Sequence, residues 1–295
     1  MSKHERDGAA QRSPENPAAP PGWTPPPAGR KQRILYFTRT VGFEHSVVHR
    51  EPGALSHSET VFTDVAARAG LDVICSKDGE VFDGDLDQYD AFAFYTLGDL
   101  LQTKGLDTPP MTPRGKQRLL DAIAGGKGFV GFHAAADTFY GEGVDPYIKM
   151  VGAEFCGHGP EQEGTLRRTS SRFPGLDGLD GALTFFEEWY AFKKVSPEMH
   201  VIFALDTAGM TSNLYARPPM PGTWARMFRK GRVFYTSLGH REDVWLDPRF
   251  QQIALAGLAW ALGNVDADVT PNFEHATPGG ADYRKMPLEP GCVSR

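Results

Sequence analysis

The feature that most limits what this chain can fold into is a set of short apolar runs. They stop abruptly at charge, glycine or histidine, with helical patterns between them. Arg33-Ile-Leu-Tyr-Phe-Thr-Arg39 is bounded by charge and followed by Gly42. Leu71-Asp-Val-Ile-Cys-Ser76, Ala91-Phe-Ala-Phe-Tyr-Thr96, Gly128-Phe-Val-Gly-Phe132 and Arg232-Val-Phe-Tyr-Thr-Ser237 behave alike. Near-continuous apolar runs of this length read as strands covered on both faces. Between them, residues 54–69 place Leu55, Val61, Phe62, Val65 and Ala66 near a 3.6-residue period and stop at Gly70, which predicts a helix. Thr112 can cap a second helix, carrying Leu119, Leu120 and Ile123, that ends at Gly125-Gly126, and Phe250–Leu262 reads as a third. The alternation predicts an α/β fold with a mainly parallel central sheet. The stretch 160–228 adds strand candidates at Gly164–Thr169, Leu183–Phe192, Val201–Leu205 and Trp224–Phe228, an insertion rich in β-structure.

One domain with insertions accounts for residues 32–264. Residues 1–31 hold seven prolines and nothing that can form a core, so a disordered or extended arm is expected there. Residues 265–295, with Pro271, Gly279-Gly280 and Pro287, read as an irregular tail. The net charge of −6, with no long basic run, argues against a nucleic-acid partner. No apolar run approaches the roughly 18 residues that span a bilayer, and the first residues lack an apolar signal core. No membrane partner and a cytoplasmic location are the expectations, and a homo-oligomer stays open. Cys75, Cys156 and Cys292 are far apart without a CxxC pair and read as free, buried thiols.

Several motif-like stretches fail on inspection. Gly125-Gly-Lys-Gly128 lies between a helix and a strand, the reverse of a phosphate loop, and lacks its full pattern. Asp83, Asp85 and Asp87 have calcium-loop spacing, but Gln88 and Phe94 stand where that loop needs glycine and glutamate. No GxGxxG follows a strand.

The histidines are more informative. His45 follows the first strand, His133 ends the strand Gly128–Phe132, and His240 follows the strand Arg232–Ser237. Ligands of open α/β sheets bind outside the carboxyl ends of the strands. If these strands are parallel, the three imidazoles converge on one mouth, where they can act as acids, bases or metal ligands. His158, in Cys156-Gly-His-Gly159, is a fourth candidate. Asp137 and Glu188 are the carboxylates best placed to complete such a site. The scattered spacing, with neither HxH nor HExxH, leaves a divalent metal such as zinc on His45, His133 and His240 open.

Taken together, Leu35-Tyr-Phe-Thr-Arg-Thr-Val-Gly-Phe-Glu-His45, Gly128-Phe-Val-Gly-Phe-His-Ala-Ala-Ala-Asp-Thr138, Glu187-Glu-Trp-Tyr190 and Lys230-Gly-Arg-Val-Phe-Tyr-Thr-Ser-Leu-Gly-His240 resemble the ThuA-like family, named for trehalose utilisation. Leu258-Ala-Trp-Ala-Leu-Gly263 extends the resemblance, which spans about 33 to 264. It implies the class I glutamine amidotransferase-like superfamily and a flavodoxin-like three-layer sandwich. In the amidotransferases a cysteine occupies the strand-to-helix turn; here that place is His133, so glutaminase chemistry is not expected. The chain departs from the family at Gly159-Pro160 and at Arg172-Phe173-Pro174, where His-Pro pairs are usual. The resemblance implies carbohydrate catabolism, with 3-keto-glucosides or 3-keto-disaccharides as substrates. His133, Glu188 and His240 would be catalytic; His45, Asp137, His158, Trp189 and Tyr190 would bind the sugar. Two other readings stand beside this one: a non-catalytic sugar-binding or regulatory module, and a histidine-liganded, metal-dependent hydrolase.

Overall fold

A computed structural model describes residues 30–103 and 107–280. The expected arm, apart from Arg30 and Lys31, and the tail beyond 280 lie outside the described residues. A nine-stranded mixed sheet runs through the molecule. Its first half is parallel: β2 (Asp72–Ser76), β1 (Arg33–Phe37), β3 (Ala91–Phe94), β4 (Gly128–Phe132) and β11 (Gly231–Thr236), side by side in that order. The second half continues antiparallel from β11 through β10 (Met220–Phe228), β9 (His200–Asp206), β6 (Gln162–Arg168) and β7 (Ala182–Glu187). A separate two-stranded sheet pairs β5 (Glu154–His158) with β8 (Tyr190–Lys193).

The apolar runs are continuous because both faces of the sheet are covered. In β1, Ile34 and Tyr36 enter one core, while Leu35 and Phe37 enter the other. Helices α1 (His57–Arg68) and α5 (Pro248–Ala261) bring Phe62, Ala66, Ile253 and Leu258 to the first core. Helices α2 (Pro113–Gly125) and α3 (Pro146–Val151) bring Leu119, Ile123 and Ile148 to the second. The result is an α/β three-layer arrangement of flavodoxin-like type.

The helix starts and stops follow local chemistry. Ser56 and Glu59 form a reciprocal capping box, so α1 begins at 57 rather than 54. Thr112 accepts the Gly115 N–H and caps α2, which ends at Gly126 with φ of 127°. Short helices α4 (Glu242–Leu246) and α6 (Phe273–Ala276) complete the described chain; α6 shows that the segment after 265 is not wholly irregular.

Two expectations are corrected. The single strand expected over Leu183–Phe192 is two strands in different sheets, interrupted at Glu188 and Trp189. Trp189 is fully buried, its indole N–H donates to the Gln162 carbonyl, and its ring lies against Gly164, where a Cβ would come within 2.4 Å of it. The chain turns at that anchor and leaves the large sheet for the small one. Cys156 is disulfide-bonded rather than a free thiol, which removes it as a nucleophile; Cys75 is free. Among the described residues, no helix is long and apolar enough to cross a membrane.

Candidate active site

Four parallel strands end on one side of the sheet, and the residue that follows each, directly or by a short loop, faces a common centre. His133 follows β4 at a φ of 37°, a left-handed backbone that a non-glycine residue adopts only when its surroundings hold it there. Tyr235 Oη donates to the His133 carbonyl (2.6 Å), and His133 Nδ1 lies 2.8 Å from the Ser237 carbonyl. Gly131 lets β4 pass close beneath: a Cβ there would sit 3.0 Å from the Tyr235 ring and 3.2 Å from the Ala135 Cβ. His45 precedes a short 3-10 turn after β1, Tyr95 follows β3, and His240 follows β11. The rings of His45, His133 and His240 lie 5.2 Å from one another, centre to centre.

The antiparallel half supplies the carboxylate. Glu188, at the turn between β7 and β8, places Oε2 at 3.3 Å from His133 Nε2 and 3.4 Å from His240 Nδ1. Its Oε1 lies 3.1 Å from His158 Nδ1, at the end of β5. One ligand atom from each of His45, His133, Glu188 and His240 falls within 4.8 Å of all the others.

The proton arrangement is informative. A carbonyl only accepts, so the His133 Nδ1 proton goes to Ser237 and, in the neutral ring, Nε2 is left as a lone pair facing Glu188. His240 Nε2 lies 3.1 Å from Glu161 Oε1, which directs its proton outward and leaves Nδ1 facing Glu188. The Nδ1 atoms of His45 and His240 are buried without a hydrogen-bond partner. In these tautomers the lone pairs of His133 and His240 face an anionic oxygen, a donor set that calls for positive charge. Such a set suits a divalent cation of zinc type, held by three imidazoles and one carboxylate, with outer hydrogen bonds fixing the tautomers.

The electrostatics agree. Burial, with the neighbouring His133 and His240, pushes the His45 pKa down to about 2, so the ring is neutral. Burial and His133 also lower His240. Burial alone would raise the Glu188 carboxyl; positive charge on the facing imidazoles, His133 first and then His240 and His158, holds it near 2, so this carboxylate is stabilised by positive charge beside it. Glu187, fully buried beside it, is pushed up to about 8 by burial, against the backbone N–H groups it accepts. Tyr95, whose hydroxyl is buried without a partner, is raised by burial and by the nearby Glu187.

The structure brings His45, His133, Glu188 and His240 together, with His158 alongside. Depth separates them: His133 and His45 lie at the floor, while Glu188, His240 and His158 side chains are 12%, 17% and 39% exposed. Asp137 ends the turn after β4, buried, with its carbonyl accepting the Gly98 N–H; it is not among the converging ligand atoms. Trp189 belongs to the core, and Tyr190, also buried, packs against His133 at 3.9 Å between ring centres. The aromatic ring exposed beside the cluster is Phe43, 60% accessible and 4.9 Å from the His45 ring. Sequence reasoning missed Phe43, Tyr95, Glu161 and Glu187. Phe43 stands in the His45 loop and Tyr95 at a strand end, the signals that could have found them; Glu161 carries none.

A flavodoxin-like α/β protein with histidines in place of a thiol at the sheet's carboxyl edge is thus the class that fold and site define. The ThuA family profile, described as trehalose utilisation, matches residues 33–261, and the chain belongs to that family. A ThuA-like protein from Parabacteroides merdae is 17% identical, with a TM-score of 0.58, over 87% of this chain and all of its own. One from Bacteroides uniformis is 18% identical, with a TM-score of 0.59, over 84% and 96%. A cytoplasmic protein from Salmonella typhimurium is 14% identical, with a TM-score of 0.51, over 80% and 100%. These likenesses establish the shared fold. No curated protein matches the sequence. Family membership points to carbohydrate utilisation.

Proposed function

We propose that the protein is a carbohydrate-acting enzyme whose centre holds a divalent cation and works on a 3-keto-glucoside or 3-keto-disaccharide. The observation that carries this reading is the convergence of three imidazole nitrogens on the Glu188 carboxylate, two of them buried without a hydrogen-bond partner. His45, His133, His240 and Glu188 would hold the cation. When bound, it would polarise a sugar ketone and acidify the neighbouring C–H.

The chain's own groups do the rest. His133 is fully buried and cannot reach a sugar carbon, so it acts from beneath, as a ligand fixed by Ser237 and Tyr235. His158 is the exposed imidazole at the mouth. Its Nδ1 lies 2.8 Å from the Gly159 carbonyl and 3.1 Å from Glu188, which leaves Nε2 to exchange a proton with the sugar. Phe43 offers an open aromatic face to a pyranose ring. With neither a cysteine at the elbow nor a free thiol at 156, glutaminase chemistry has no nucleophile.

Proton NMR of 3-keto-glucosides and 3-keto-trehalose, with wild type, His133→Ala and a chelator, tests the reading. New product signals from untreated wild type alone are expected. Turnover that persists in chelator rejects the cation. Saturation transfer without product makes the protein a sugar-binding module, and silence rejects the sugar class.

A further inference from the structure

Glu187 lies outside the converging ligand atoms, yet it grips the backbone on both sides of them. Its side chain is fully buried. Oε1 accepts the Gly239 N–H at 2.6 Å and the His240 N–H at 2.8 Å, and Oε2 accepts the Glu188 N–H at 3.2 Å. All three partners are donors, so the geometry calls for both oxygens to accept, and these three N–H groups oppose the burial that favours the neutral acid. The two segments they join are far apart in the chain: one is the turn between β7 and β8, the other the loop after β11. That loop is held from its opposite side too. Gly239 sits at a φ of 113°, and the Trp245 indole N–H donates to its carbonyl at 2.8 Å.

Burying a carboxylate is costly, and a lone one beside the negative Glu188 more so. What the arrangement returns is register. We infer that Glu187 is a positioning residue whose carboxylate locks the backbone of Glu188 to that of His240, so that Glu188 Oε2 and His240 Nδ1 meet 3.4 Å apart. The inference rests on the reading of Glu188 and His240 as cation ligands. It separates this glutamate from its neighbour: one faces the centre, the other builds it. The near-isosteric Glu187→Gln is a sharp probe. Its amide oxygen can still accept from Gly239 and His240, but its amide nitrogen would then face the Glu188 N–H, donor against donor.

The test uses full-length wild type, Glu187→Gln and Glu187→Ala, each checked for native circular dichroism and cooperative unfolding. Co²⁺ titration followed by visible absorption reads the ligand set directly. Glu187→Gln is expected to bind Co²⁺ about 10–100-fold more weakly with an altered spectrum, the usual effect of losing a ligand's outer support, and Glu187→Ala more weakly again. Folded variants that bind Co²⁺ within twofold of wild type, with an unchanged spectrum, overturn the inference; should Glu187→Ala fail to fold, Glu187→Gln decides. A wild type that takes up no Co²⁺ overturns the cation reading instead. The latch is then read from hydrogen exchange, which should rise at least tenfold at the Glu188 amide in Glu187→Gln and at the Glu188, Gly239 and His240 amides in Glu187→Ala. Unchanged exchange overturns it.

Discussion

The two halves of the sheet contribute different chemistry. The parallel half, β2 to β11, ends in imidazoles: His45, His133 and His240 all follow its strands. The antiparallel half and the small sheet contribute the carboxylate and the mouth, through Glu188 and His158. A parallel sheet brings its strand ends to one edge by topology alone, so the histidines converge without further instruction. The carboxylate has no such rule. It arrives because the chain breaks between β7 and β8, anchored by Trp189 against Gly164 and latched by Glu187. One half of the site is placed by the fold, and the other by particular side chains.

Removing one contribution from each half should have the largest effect. His133→Ala and Glu188→Gln are each expected to lower cation affinity on the order of 10³-fold, beyond the 10–100-fold seen when only a ligand's support is lost. Competition with a zinc indicator measures it. A large loss in one variant and none in the other would mean that the halves do not share a ligand set.

The parallel half also holds an acid-sensitive pair away from the site. Glu59 is fully buried, and Arg50, the Thr38 hydroxyl and the Ser56 N–H together hold its carboxyl below the ordinary range against the burial that would raise it. A carboxylate lowered on folding stabilises above its unfolded pKa of about 4.3, and that contribution disappears as pH falls through the folded value. Glu59→Gln should therefore cost about 2 kcal/mol at neutral pH, the low side for a broken buried pair because Arg50 is 28% exposed. The deficit should shrink below pH 4. Urea unfolding of both proteins at pH 7 and pH 3 checks this, and a deficit that is constant with pH would refute it.

The smallest effect is expected at the mouth. Phe43→Ala should raise KM about 3–10-fold with little change in kcat, the worth of one aromatic contact. An unchanged KM would move the sugar elsewhere.

These contrasts explain how much the sequence revealed. The parallel strands were legible because each is apolar throughout and stops at glycine or charge, and the histidines because they follow those stops. The Glu187–Glu188 pair was visible, but which carboxylate faces the centre was not. Along a continuous strand the two would alternate faces, and the break that gives Glu188 to the site comes from Trp189 packing against a glycine 25 positions away. Trp189 and Tyr190 looked like sugar platforms because aromatics serve both cores and sugars. Only burial separates the two uses, and it places both inside. Phe43 went unweighed although it stands in the same loop as His45.

The most direct measurement of the central claim is metal content. Protein purified without a histidine tag, loaded with Zn²⁺ and passed through a desalting column, should retain one equivalent, and Glu188→Gln and His133→Ala close to none. A wild type that retains no zinc, or variants that retain as much as wild type, would contradict the account in which both halves of the sheet meet on one cation.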